Sequence, residues 1–118
     1  MATPENRKYR RFNLKCPVHL TFRSGDSMME VDTVSRDLSV HGLLLESNRV
    51  IPYRTPVEFT ITLQAGPTAR PIYLSGKGEV VRVGPGETAN RVGIAVECAE
   101  PIAQIGDHLS RAAGGNLP

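Results

Sequence analysis

Two clusters of residues in this chain have types and spacings that could do chemistry. Arg7, Lys8, Arg10 and Arg11 crowd around Tyr9 in "RKYRRF", and Asp37, Ser39 and His41 stand at alternate positions in "DLSVHG". The second set invites a hydrolytic reading, with Ser39 as nucleophile and His41 as base. Geometry counts against it. On an extended strand, residues two apart project about 6 to 7 Å from one another. A nucleophile and its base need about 2.6 to 3.2 Å. There is also no G-x-S-x-G elbow. His41 reads as an exposed turn residue, His19 as an outward residue of a strand and His108 as a residue of a terminal helix, so no metal-ligand spacing emerges.

The first cluster suits an anionic partner. The chain holds 14 basic and 12 acidic residues, a net charge of +2. Residues 1–12 carry +3, four cations less Glu5, so the rest carries −1. Charge confined to one segment points to a single anionic contact site rather than a face that tracks a long nucleic acid. The two cysteines, Cys16 and Cys98, form no C-x-x-C pattern. They read as buried reduced thiols, without a zinc site or disulfide framework. No apolar run approaches the roughly 20 residues of a membrane span. The first residues lack a signal peptide's apolar stretch, and a cytoplasmic protein is expected.

These side chains need a scaffold, and at 118 residues one core is expected. Residues 16–23 alternate strictly, with Cys16, Val18, Leu20 and Phe22 on one side, the period of a half-buried strand. Pro17 then needs an edge or a bulge. A weaker strand is expected over 29–38, and "HGLLLES", "VEFTITLQ", "IYLSGKGEVVRV" and "RVGIAVE" supply the others. Gly76 and Gly78, inside the longest, mark a bulge or bend. Ile102, Ile105 and Leu109 fall on one helical face after Pro101, a suitable first helical residue. Five or six short strands and one helix argue for an all-β protein, a small antiparallel barrel with a C-terminal α-helix that plugs or flanks one end. The expected layout is a flexible basic arm over 1–11, the barrel and helix over 12–112 and a frayed tail over 113–118.

Arg7-Lys-Tyr-Arg-Arg11 fits R-x-x-x-R, and Asp37-Leu-Ser39-Val-His-Gly42 fits [D/N]-x-S-x-x-G. Together and in this order they resemble the PilZ domain family, bacterial receptors for the second messenger cyclic di-GMP. The resemblance covers residues 5–112. It implies a six-stranded antiparallel β-barrel with a C-terminal helix, no enzymatic activity and no cofactor besides the nucleotide ligand. It also implies an unidentified downstream protein partner. By the same resemblance Arg7 and Arg11 contact guanine edges or phosphates. Asp37 accepts from guanine N1–H and N2–H₂, Ser39 hydrogen-bonds the ligand, and Gly42 gives the turn and close backbone approach. Leu38 should point into the barrel.

Arginine suits this ligand because its planar fork pairs with phosphate oxygens, matches guanine O6 and N7 and can stack on a base. Two other readings differ in class. One is a PilZ-like module that binds a protein partner and no nucleotide; degenerate family members lose the arginines, which this chain keeps. The other is a barrel for single-stranded nucleic acid. It needs aromatic platforms on its strands, whereas the chain has only Tyr9, Phe12, Phe22, Tyr53, Phe59 and Tyr73, several of them pointing inward.

Overall fold

Apolar residues at alternate positions give a strand one buried face, and six strands close here on a common interior. The computed structural model describes residues 11–102. Within them run β1 (Pro17–Ser24), β2 (Ser27–Ser39), β3 (Gly42–Ser47), β4 (Pro56–Leu63), β5 (Ile72–Pro85) and β6 (Val92–Glu97). All neighbours pair antiparallel in the order β1-β2-β3-β6-β5-β4, and β4 returns to β1. Closure removes the open edges that a lone sheet of this size would have to protect. The all-β, six-stranded antiparallel barrel expected from the sequence is therefore present. The expected C-terminal helix and tail lie outside the described residues, as do Arg7 and most of the basic arm.

The inward rows follow the apolar alternation. Val18, Leu20 and Phe22 of β1, Val57, Phe59, Ile61 and Leu63 of β4, and Ile94 and Val96 of β6 are all buried, whereas Val92, expected on the same face of β6, is only partly buried. Burying each such side chain stabilises the fold by about 1.5 to 3 kcal/mol. β2 is longer than the 29–38 expected, because its first residues form a hairpin with β1 around Gly25, whose φ is +62°. Pro17 needs neither edge nor bulge: it is the first residue of β1, where a missing donor costs the ladder little.

Gly76 and Gly78 do not mark the bulge of β5, which falls further on, between Val80 and Arg82. The glycines instead make room. A Cβ on Gly76 would stand 2.6 Å from the Phe59 ring, and one on Gly78 2.6 Å from a Val96 methyl. The barrel interior at β5 is thus filled by side chains reaching across from β4 and β6.

Both cysteines are free and buried, as expected. Burial pushes the Cys98 thiol up to about 11, aided by the charge of Glu97, and also raises Cys16. A raised folded-state pKa means that the unfolded chain releases its proton first. Stability is then complete below about pH 9 and is lost as the pH climbs towards about 11, at up to about 1.4 kcal/mol per unit for this thiol. Thiol titration with Ellman's reagent at pH 8 should leave the native protein unlabelled and give two thiols in urea. Rapid labelling of the native protein would contradict this packing.

Candidate functional site

The end of the basic segment is fixed to the barrel by a contact that strand patterning does not announce. Phe12 N–H donates to the Leu38 carbonyl at 2.8 Å, and Leu38 N–H donates back to the Phe12 carbonyl at 2.9 Å. Both side chains are buried. Residues on either side of such a bridge face the opposite way, outwards. Arg11 is consequently exposed on the same side of the sheet as Asp37 and Ser39.

Buried Ser35 strengthens the attachment. Its hydroxyl donates to the Leu14 carbonyl and accepts from Cys16 N–H at 2.9 Å, while its own N–H donates to the Cys16 carbonyl at 2.9 Å. Phe12, at the end of the basic segment, therefore belongs to the core.

Arg11, Asp37, Ser39 and Gly42 line one surface cavity of about 270 Å³. Four of the five residues expected of the site are therefore together, and the fifth, Arg7, lies outside the described residues. Leu38 points into the barrel, as expected, at 1% exposure.

Asp37 faces outwards because β2 slips by one residue between Ser35 and Asp37. The extra residue, Arg36, is engaged elsewhere: its guanidinium lies 3.1 Å from Glu46 Oε2 and 3.3 Å from Glu87 Oε2. Glu46, itself buried, also accepts from Glu87 N–H at 2.9 Å. The neighbouring arginine is thereby withheld from Asp37. Asp37 Oδ1 is buried and has no hydrogen-bond partner among the described residues. A buried acceptor left in this state costs about 1 to 3 kcal/mol, and more when charged.

Ser39 is only loosely engaged. Its hydroxyl accepts from His41 N–H and donates to the Gly42 carbonyl, both at 3.4 Å, the long end of hydrogen bonding. Gly42 is needed for a close approach, but to the barrel wall: a Cβ there would stand 3.1 Å from the Val96 carbonyl oxygen.

His41 is half-buried rather than exposed. Its Nδ1 lies 3.1 Å from the Cys98 carbonyl oxygen, so this nitrogen carries the proton, and Cys98 N–H donates to the His41 carbonyl at 2.8 Å. His19 is on the outer face as expected. The hydrogen bond to Asp32, at 2.8 Å, and the nearby Glu30 raise its pKa. Among the described residues no group of His, Cys, Asp and Glu is placed to hold a metal ion. No helix among them is long and apolar enough to cross a membrane.

Fold and site define a six-stranded barrel with Arg11 set beside an aspartate and a serine on its outer face. The family model for the PilZ domain matches residues 5–112, and the chain belongs to that family. Among solved structures, the chain is similar to the Bacillus subtilis inhibitor of motility MotI/DgrA. That likeness has a TM-score of 0.66 at 18% identity, over 94% of this chain and 51% of the other. The chain thus spans about half the length of that protein. It is also similar to the PilZ domain of CeSA from a cellulose-synthesizing bacterium. There the TM-score is 0.50 at 21% identity, over 91% of this chain and 97% of that domain. At these identities the likeness speaks for the fold alone. Comparison with curated protein sequences gives no match.

Proposed function

We propose that this PilZ domain is a non-enzymatic receptor for cyclic di-GMP, bound by Arg7, Arg11, Asp37, Ser39 and Gly42. The observation that carries the reading is the buried, unpartnered Oδ1 of Asp37 in a cavity that Arg11 also lines. Guanine offers N1–H and N2–H₂ side by side, two donors that a carboxylate accepts well. Arg11 adds a fork for phosphate oxygens or for guanine O6 and N7. Membership of a family of cyclic di-GMP receptors supports the same ligand.

Binding orders the basic segment over the anionic ligand and so changes the surface offered to a protein partner in the cytoplasm. Calorimetric titration with cyclic di-GMP should give a saturable heat and the stoichiometry. Absence of saturable heat rejects the reading. Amide order parameters of residues 7–11 that do not change on saturation reject its switching half.

A further inference from the structure

The cavity has a second polar wall that neither sequence pattern contains. Strand register sets Asp37 beside Leu44, Leu44 beside Ala95, and Ala95 beside Arg82. All four line the same 270 Å³ space. The row is a trough across β2, β3, β6 and β5, with a carboxylate at one end, an apolar floor and a guanidinium at the other. Neighbouring strands lie about 4.8 Å apart, so three steps separate the two ends by about 14 Å at the backbone.

Neither end would face the trough in a regular ladder. Ser35 and Val80 point into the core at 1% and 0% exposure, and side chains two residues further on would normally do the same. Instead β2 carries Arg36 as an extra residue and β5 carries Val81. One inserted residue reverses the alternation beyond it. The two bulges flank the β3–β6 pair and turn Asp37 and Arg82 outwards in a single row. Arg82 is exposed and makes no ion pair among the described residues. Of the carboxylates near it, Glu79 is engaged by Arg54 at 3.1 Å, and Glu97 lines the cavity one row away.

We infer that Arg82 is a further ligand-reading arginine, one that grips the half of a cyclic dinucleotide remote from Asp37. The inference rests on the site being one for cyclic di-GMP. Asp37 as a carboxylate only accepts and Arg82 only donates. A ligand spanning the trough must therefore present donors at one end and a pair of acceptors at the other. One guanine supplies the donors. Either the O6 and N7 of the second guanine or a phosphate supplies the acceptors, and the arginine fork fits both.

The test is calorimetry of wild type, Arg82→Ala and Arg82→Lys with cyclic di-GMP and with the mixed cyclic GMP–AMP dinucleotide, alongside thermal melts. Arg82→Ala should weaken cyclic di-GMP binding about tenfold or more, equivalent to about 1.4 kcal/mol, with an unchanged melt. Lysine should not restore it. An equal loss for both ligands assigns the fork to phosphate, and a larger loss for cyclic di-GMP assigns it to the base edge; each supports the role. Alanine and wild-type curves within about twofold of each other overturn it, while wild-type binding still upholds the reading of the domain as a cyclic di-GMP receptor. A wild type that binds neither ligand overturns both.

Discussion

Replacing Arg11 by alanine is expected to weaken cyclic di-GMP binding by about tenfold to a hundredfold and to leave the melting curve where it was. The binding loss follows from the worth of a hydrogen bond to a charged group, about 1.5 to 3 kcal/mol. The unchanged melt follows from placement. Arg11 is exposed and supports no core, whereas its neighbour Phe12 is buried and bridged to Leu38. Exposed substitutions of this kind usually stay within about 0.5 kcal/mol of the parent. Arg11→Lys keeps the charge but loses the planar fork, so it should recover only part of the affinity. Arg7→Ala should act in the same direction. Raising the salt concentration should weaken the wild type as well, since an exposed arginine pairing with phosphate is screened. An Arg11→Ala titration superimposable on the wild type would remove Arg11 from the site.

Cyclic di-AMP should bind far more weakly than cyclic di-GMP, and Asp37 should be the main reason. Adenine has no N1–H and N2–H₂ pair, so it leaves the buried Oδ1 of Asp37 unpartnered. It also places an N6–H₂ donor where guanine has O6, opposite any arginine aimed at that edge. A site with buried groups built to hydrogen-bond its ligand rejects the analogue that lacks the partner, because those groups then stay unpaired. Each good bidentate base contact contributes about 1 to 3 kcal/mol of discrimination. Asp37→Ala should narrow the gap between the two dinucleotides, chiefly by weakening the guanine ligand. Competition titrations of both ligands against wild type and mutant measure this directly. If cyclic di-AMP competes equally for the wild type, the arginines read only phosphate and Asp37 does not read guanine.

Much of the scaffold is legible locally. In β1 and β4 apolar residues alternate with polar ones, and each strand buries the row so marked. That works because period-two patterning is itself the imprint of a half-buried surface. The residue types of the site are legible for a similar reason: arginines in one short segment and an Asp and a Ser two apart declare donors and acceptors without reference to a fold. The convergence of Arg11 with Asp37 and Ser39 is a different matter. It depends on the Phe12–Leu38 bridge, which joins residues far apart in the chain.

Tertiary pairing decided the rest. "GEVVRVG" reads as a plausible strand with or without an extra residue at Val81, yet the two registers send Arg82 to opposite faces. The choice is made by β6, which sets Val96 against Val80 and Ala95 against Arg82. The slip beside Arg36 is set in the same way by β3, with Glu46 and Glu87 holding the displaced guanidinium. The glycines of β5 look locally like bulge markers, but they answer to Phe59 of β4 and Val96 of β6. His41 looks like a turn residue in sequence and is half-buried because Cys98 binds it at both backbone and ring. Composition and alternation record how much of each strand is buried. A one-residue slip in pairing leaves the sequence as it is, so only the partner strands determine which side chains face the cavity.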